Sequence, residues 1–160
     1  MNLVEVFNRT RVSIDEAAVA RLVARVLEAE GVDHAESSVE FVGERRIRAL
    51  NVEHRGRDEV TDVLSFPLED VGEGPGPAVA GRPAGPPRLL GDVVICARQA
   101  LRQARSDSLP PALELAVLVV HGALHLLGYD HETDAGQMAL RQAELLELVD
   151  WEALVVATPR

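Results

Sequence analysis

The amino-acid sequence predicts an α+β, or mixed α/β, fold in which about four strands form one sheet and helices pack on it. Short runs that contain β-branched residues alternate with segments whose apolar residues recur at helical spacing. Residues 115–129 contain no Asp, Glu, Lys or Arg, which predicts a buried central helix. With 160 residues, 47% of them apolar, the chain can bury its core as a single domain without disulfide bonds.

The first strand is predicted at residues 3–7, where the sequence LVEVF contains two β-branched residues. Ser13 and Asp15 are candidate caps for the helix that follows, because either side chain can accept a hydrogen bond from a first-turn amide. Gly31 is expected to end this helix. Its buried face is predicted by apolar residues spaced three and four apart, namely Val19, Leu22, Val23, Val26 and Leu27.

Three more strands complete the predicted sheet. The second is expected at residues 38–42, and a helix at residues 44–55 follows it and ends at Gly56. The third and fourth strands are expected at residues 61–67 and 89–96, which are short, largely apolar runs with β-branched residues.

The remaining segments are predicted to be one loop and three helices. Residues 71–88 hold five Gly and five Pro, a composition typical of a flexible loop, here inside the domain. Helices are expected at residues 97–105, from Pro111 or Ala112 to Leu127, and at residues 131–148. On the last helix we expect Met138, Leu145 and Leu148 to face the core, with Glu144 and Glu147 outside.

Charge and cysteine content exclude several function classes. The formal charge is -10, so binding to nucleic acid requires a local basic patch. All sixteen basic residues are Arg, which excludes a Schiff-base lysine and a P-loop lysine. Cys96 is the single cysteine, which excludes a thiolate zinc ribbon and fits a reducing compartment. The first residues carry no basic leader before an apolar run, so we expect a cytoplasmic protein with no membrane partner.

Three histidines at the end of the central helix have the spacing of a metal site. His121 and His125 are four residues apart, so their rings project from one helix face. Gly128 is expected to end the helix and return His131 toward the same point. Three imidazoles leave a fourth position for water and favour zinc, although the spacing leaves nickel and other ions open. His34 and His54 have no such neighbours and are expected to be surface or packing residues.

The same spacing also occurs in metzincin peptidases, whose motif is HExxHxxGxxH. Here Gly122 occupies the position of the glutamate that serves those peptidases as general base. Met138 follows His131 by only seven residues, which is too close for a separate methionine turn beneath the metal. A peptidase is therefore the weaker interpretation.

Read as one string, residues 121–131 are HGALHLLGYDH, which resembles the signature HGxLHLxGYDH of the YbeY family of single-strand-specific metallo-endoribonucleases. Asn51 and Arg55, followed by TDVLSFP at residues 61–67, resemble the upstream motif of that family. Gly91 and Asp92, which open the next strand, provide a third match. The three blocks occur in the family order and cover nearly the whole domain.

The resemblance implies one zinc ion per chain at His121, His125 and His131, and it places Arg55 in the active site. It further implies maturation of the 3′ end of 16S ribosomal RNA and a role in ribosome quality control. The implied partners are single-stranded RNA and the ribosome or its small-subunit proteins.

Several side chains near these motifs have chemistry that suits RNA cleavage. The planar fork of Arg55 matches the geometry of a phosphate. Asp130 and Glu132 flank His131, where each is a candidate for orienting an imidazole or accepting a proton, or for capping a turn or helix. Arg45, Arg48 and Arg57 belong to a basic segment that is a candidate RNA-binding surface. Water and the RNA 2′-hydroxyl both remain open as the nucleophile.

Two other functions remain open at this point. A metal hydrolase of another substrate, such as a peptide or a small ester, requires the metal but would not cut RNA. A non-catalytic ribosome-assembly factor would use the metal only to hold its fold.

Overall fold

The computed structural model describes residues 1–68 and 86–157, and one four-stranded sheet forms its centre. The strands are β1 (Leu3–Asn8), β2 (Ala35–Val42), β3 (Val63–Pro67) and β4 (Arg88–Cys96). They lie in the order β1-β2-β4-β3, with β1, β2 and β4 parallel and β3 antiparallel to β4. The predicted mixed α/β fold with four strands is confirmed.

In the described residues two helices alternate with the first three strands, and three more helices follow β4. Within the described residues they are α1 (Glu16–Ala29), α2 (Glu44–Arg55), α3 (Ala97–Ser106), α4 (Pro111–Leu126) and α5 (Gln137–Leu148), with a 3-10 turn at Trp151–Leu154. No helix in residues 1–68 and 86–157 is both long and apolar enough to cross a lipid bilayer.

The sheet buries apolar side chains on both of its faces. Val93 and Ile95 of β4 belong to the larger core, which includes α1 and α4. Val94 and Cys96 belong to a smaller core that includes Ile47 of α2. Because successive side chains of a strand point to opposite faces, these two cores lie on opposite sides of β4. Helices α4 and α2, which carry two of the predicted histidine ligands and Arg55, therefore pack on opposite faces of the same sheet.

Helix α4 is the central helix, and apolar residues surround it almost completely. Its buried residues include Leu115, Val119 and Leu124. The helix packs against β3, β4, α1, α3 and α5. This burial agrees with the prediction from its uncharged sequence, and it fixes the position of the two histidines in its last turns.

The last helix begins six residues later than predicted, at Gln137 instead of position 131. Residues 131–136 form turns, because the Asp134 carboxylate accepts hydrogen bonds from the backbone N–H groups of Gly136 (2.8 Å) and Met138 (2.9 Å). Gly136 has a φ of +97°, which ends any helical path through this segment. Met138 and Leu145 are buried as predicted, whereas Leu148 is 49% exposed, so its assignment to the core was wrong.

Smaller differences concern the strand ends. Strand β2 begins at Ala35, three residues before the predicted start, and β3 begins at Val63, two residues after it. The predicted flexible loop at 71–88 lies outside the described residues except for positions 86–88. Of these, Arg88 opens β4 and pairs with Ala35 of β2.

Candidate metal centre

Three imidazole rings meet at the C-terminal end of α4. The candidate ligand atoms of His121, His125 and His131 all lie within 4.8 Å of one another. The ring centroids are 4.7 Å apart for His121 and His125, and 5.2 and 5.1 Å from each of these to His131. This spacing is compact enough for one ion to contact all three rings.

The end of α4 explains how the third histidine reaches this point. Gly128 has a φ of +95°, and the backbone N–H of Tyr129 donates to the carbonyl of Leu124 at 3.1 Å. A glycine in the left-handed region after a helix reverses the chain direction. The reversed chain brings His131 back beside the two helical histidines, as the glycine predicts.

Two hydrogen bonds determine which ring nitrogen of each helical histidine carries the proton. His121 Nδ1 lies 2.9 Å from Oε1 of Gln142, and His125 Nδ1 lies 2.9 Å from the carbonyl oxygen of Tyr129. Both partners are oxygens that can only accept, so each Nδ1 carries the hydrogen and each Nε2 presents a lone pair. Metal-binding histidines usually have such an oxygen acceptor at the ring nitrogen that does not bind the metal.

The two Nε2 atoms lie 3.1 Å apart. With both protons on Nδ1, two lone pairs face each other across that distance, and a cation between them removes the repulsion. The donor set of three imidazole nitrogens is one that zinc and other transition metals accept. The residues therefore fit a metal ion.

Burial also keeps the helical histidines in the form that binds metal. Burial lowers the pKa of His121 below its usual value. Burial, followed by the nearby His121, lowers the pKa of His125. Only a neutral imidazole can act as a ligand, so both shifts favour the ligand form.

The histidines open into a cleft of about 480 Å³. Arg55, at the last position of α2, lies in its wall. Within the described ranges Arg55 forms no ion pair, so its guanidinium can receive an anion. The other residues that line the cleft are Thr61, Asp62, Val63, Ser65, Asp130 and Glu132. The fourth coordination position expected beside the three histidines is thus accessible from solvent, and the Arg55 guanidinium lies in the same cleft.

Strand β3 and the residues before it form one wall of this cleft. Ser65 Oγ donates to the carbonyl of Gly122 at 3.2 Å and so connects β3 to α4. The Asp62 carboxylate accepts from the backbone N–H of Val63 (2.8 Å) and from Nε2 of Gln103 (3.1 Å). These contacts fix a carboxylate and a hydroxyl beside the histidines.

Sequence reasoning missed four polar residues around this site. The motif at residues 61–67 contains Thr61, Asp62 and Ser65, and alternation along a strand places Thr61 and Ser65 on one face, which is a signal that could have identified them. Gln142 had no comparable signal, because only the apolar and the acidic positions of its helix were interpreted from the sequence.

The residues that flank the third histidine have structural contacts. Asp130 Oδ1 accepts from the backbone N–H of Glu132 at 3.0 Å and so stabilises the turn. Both carboxylates also line the cleft. Asp130 therefore stabilises the turn, and the carboxylates of Asp130 and Glu132 both lie in the cleft with the imidazoles.

The candidate RNA-binding arginines lie outside the lining of the cleft. Arg48 pairs with Asp58 at 2.7 Å, and Arg57 lies 3.9 Å from Glu59. Arg45 is exposed and, among the described residues, has no ion pair. Neighbouring carboxylates therefore neutralise part of the basic segment.

The other two histidines lie elsewhere on the surface. His34 is exposed, and the exposed ring of His54 packs edge-on against Phe66 with centroids 4.8 Å apart. Their assignment as surface or packing residues agrees with this placement.

Comparison with known proteins places these features in a family. Residues 5–150 match the family model described as Endoribonuclease YbeY. Proteins named Endoribonuclease YbeY share 50% identity over 125 residues in Anaeromyxobacter sp. (strain Fw109-5) and 40% over 150 residues in Bacillus mycoides. The matches cover 76% and 91% of this chain, respectively. The chain spans 58% of the length of the Anaeromyxobacter protein and 94% of the Bacillus protein.

The fold is also similar to a solved structure. The solution structure of TM1509 from Thermotoga maritima matches with a TM-score of 0.61 and 26% sequence identity. The match covers 91% of this chain and 87% of that protein. The similarity therefore extends over most of the fold.

Proposed function

This chain belongs to the endoribonuclease YbeY family, and from that premise we propose that residues 1–160 form one metallo-endoribonuclease domain that cuts single-stranded RNA. His121, His125 and His131 hold one zinc ion, and Arg55 binds the phosphate that is cleaved. The substrate is ribosomal RNA at the 3′ end of the 16S molecule. This substrate implies action in the cytoplasm, on or near the ribosome, in rRNA maturation and ribosome quality control.

One observation carries the proposal: three imidazoles converge in one open cleft beside a guanidinium that forms no ion pair within residues 1–68 and 86–157. A structural metal site is closed by its protein ligands, whereas a catalytic site keeps a position for water or substrate. Here the third ligand, His131, is exposed, and the cleft reaches solvent on that side. This arrangement favours catalysis over a purely structural metal.

The chain's own residues suit phosphodiester cleavage. When bound, a zinc ion supplies Lewis-acid activation of water and of a phosphate oxygen. The Arg55 guanidinium stabilises the negative charge that accumulates on the non-bridging oxygens during attack. Gln142 and the carbonyl of Tyr129 hold the two helical imidazoles in the ligand tautomer. Asp130 and Glu132, which flank His131 in the turn after α4, are the candidates for accepting the proton of the attacking hydroxyl.

The peptidase alternative is weakened by the surroundings of Gly122. In the metzincin motif this position carries the glutamate base. Here a Cβ atom at Gly122 would lie 2.4 Å from Cγ1 of Val93, so the position points into the core and away from the cleft. A glutamate at this position could not reach a substrate.

The test combines metal analysis with cleavage of a single-stranded RNA and a matched duplex. We expect the wild-type protein to contain about one zinc per chain and to cut only the single strand. His125→Ala should lose the metal and the activity together. Arg55→Ala should keep the metal and the fold and lose about 10²-fold or more in cleavage rate, as is typical when a charge-stabilising donor is removed.

Two outcomes favour the other functions. Metal binding without RNA cleavage, in preparations free of contaminating ribonuclease, would support a hydrolase of another substrate. Unfolding of the chain on chelation, with no activity in the metal-bound form, would support a ribosome-assembly factor with a structural metal. Cleavage by Arg55→Ala at the wild-type rate would remove Arg55 from the mechanism.

A further inference from the structure

Asn51 is a buried polar residue on the helix that carries Arg55. Its side chain is 2% exposed, and only Ser37 and Glu114 are also buried among the polar or charged residues in the described part of the chain. It lies on the inner face of α2 beside Ile47 and Leu50, four residues before Arg55. A buried amide normally has defined hydrogen-bond partners, and those of Asn51 indicate its role.

Asn51 contacts the segment that connects α2 to β3 through its side chain and through its main chain. Its side-chain Nδ2 donates to the carbonyl of Glu59 at 3.0 Å, and its main-chain carbonyl accepts from the backbone N–H of Arg57 at 3.3 Å. The connection turns at Gly56, which has a φ of +68°. The Asn51 side chain therefore ties this connection to the helix at Glu59, and its main chain, as that of any residue would, adds a second contact at Arg57.

The two ends of this connection both line the cleft. Arg55 immediately precedes it, and Thr61 and Asp62 are its last two residues. At the far end, the backbone N–H of Cys96 donates to the carbonyl of Asp62 at 2.8 Å, which fixes the connection to β4. The path between Arg55 and Thr61 thus sets where the guanidinium stands relative to the rest of the cleft.

Among the described residues, the other polar side-chain contacts of residues 56–60 of the connection are exposed ion pairs. The side chains of Arg48 and Asp58 are 55% and 70% exposed, and those of Arg57 and Glu59 are 72% and 63% exposed. Exposed pairs of this kind contribute little to structure because water and salt screen them. The part-buried hydrogen bond from the buried Asn51 side chain to Glu59 is therefore the polar contact that best defines the geometry of residues 56–60.

We propose that Asn51 is a positioning residue for Arg55. By tying the Glu59 carbonyl to the inner face of α2, it holds the last turn of the helix and the start of β3 at the separation at which the Arg55 guanidinium reaches a phosphate in the cleft. This inference rests on the proposed function only in assigning that phosphate to RNA. The placement of Arg55 itself can be tested without any substrate.

The test is a double-mutant cycle between Asn51 and Arg55. Asn51→Asp has the same shape but places a carboxylate oxygen against the Glu59 carbonyl, which repels it and displaces the connection. Since small displacements of a catalytic group can cost about 10²-fold, we expect kcat to fall at least about tenfold with a smaller change in KM. In the Arg55→Ala background the same substitution should change kcat less than about twofold.

Asn8→Asp is the matched control. Asn8 Nδ2 donates to the carbonyl of Val12 at 2.8 Å, which is the same kind of contact, on the edge strand farthest from β3. Asn8→Asp should leave kcat unchanged in both backgrounds. Asn51→Ala, which adds no charge, is the second variant if Asn51→Asp does not fold. In every folded variant the zinc affinity should stay within about twofold of wild type, because none of the histidine contacts is touched.

A measurement that needs no activity separates this inference from the proposed function. The NMR signal of the Arg55 Nε–H group should shift in Asn51→Asp and Asn51→Ala, and stay in place in Asn8→Asp. An equal loss of kcat in both Arg55 backgrounds, or an unmoved Arg55 signal in the Asn51 variants, would overturn the positioning role. Absence of RNA cleavage by the wild type together with a shifted Arg55 signal would instead reject the endoribonuclease proposal and leave the positioning role standing.

Discussion

Gly122 packs directly against Val93, so closely that a Cβ atom at Gly122 would lie 2.4 Å from Cγ1 and 3.0 Å from Cγ2 of the valine. Gly122 directly follows His121 near the C-terminal end of α4, and its carbonyl accepts a hydrogen bond from the Ser65 hydroxyl. The glycine thus brings the metal-site end of α4 into contact with β4 and β3. Close packing at this point, and not backbone freedom, explains the need for glycine.

Gly122→Ala is therefore expected to destabilise the protein. The added methyl group must displace Val93 or the helix, and overpacking of this kind costs about 1–3 kcal/mol in the free energy of unfolding. Urea denaturation of the metal-free protein measures the change. Gly43→Ala is the control, because nothing lies within 4 Å of a Cβ there. The double variant Gly122→Ala/Val93→Ala should recover much of the lost stability, and failure to do so would contradict the steric explanation.

Gln142→Met is expected to weaken metal binding while leaving the fold intact. The side chain of Gln142 accepts the Nδ1 hydrogen of His121 at 2.9 Å, and methionine fills similar volume without that acceptor. Loss of such an outer partner typically costs about 10- to 100-fold in metal affinity. Competition titration with a chromophoric zinc chelator measures it. Gln137→Met, on the exposed first turn of the same helix, should bind zinc as wild type does, and equal affinities for both variants would refute the role of Gln142.

The histidine constellation could be predicted from the sequence because its determinants are local. The i, i+4 spacing of His121 and His125 places both rings on one helix face, and Gly128 marks the turn that returns His131. The order of strands and helices was predictable for the same reason, since periodicity and glycine stops act over a few residues. The structure agrees with each of these features.

The parts of the site that come from distant segments were not predictable in this way. Gln142 reaches His121 across 21 positions, and Gln103 reaches Asp62 across 41, so their contacts depend on how helices pack. The late start of α5 has a different cause, because the Asp134 carboxylate binds backbone N–H groups at residues 136 and 138 and so competes with helix formation before Gln137.

Removal of the metal is expected to weaken RNA binding as well as cleavage. Among the described residues, three carboxylates, those of Asp62, Asp130 and Glu132, and one guanidinium line the cleft, so without a cation this lining is unfavourable for phosphate. We expect chelation to lower the affinity for a short single-stranded RNA by about tenfold or more at low salt. Fluorescence anisotropy with the metal-free protein measures this effect.

A charge variant separates this electrostatic effect from direct contact with the metal. Glu132→Gln should raise the RNA affinity of the metal-free protein, because it removes one of the opposing charges from the cleft. Glu147→Gln, an exposed change on α5 that does not line the cleft, should leave it unaltered. Equal RNA affinity with and without metal would contradict the electrostatic argument.

We expect the ionised carboxyl of Glu114 to destabilise the folded protein at neutral pH, and we expect this cost to disappear at acid pH. Burial, followed by the charges of Asp107 and Asp62, raises the pKa of this carboxyl above its usual value of 4.5. The folded state therefore binds this proton more tightly than the unfolded state, so the group costs stability above its folded pKa and costs nothing below 4.5.

Glu114→Gln, which carries no charge, should have a higher Tm than wild type at pH 7, and the difference should vanish as the pH falls toward 4.5. Thermal unfolding of the two metal-free proteins across this range measures the effect, with Glu147→Gln as the exposed control. A Tm difference that stayed constant with pH would show that burial of the charge is not its cause.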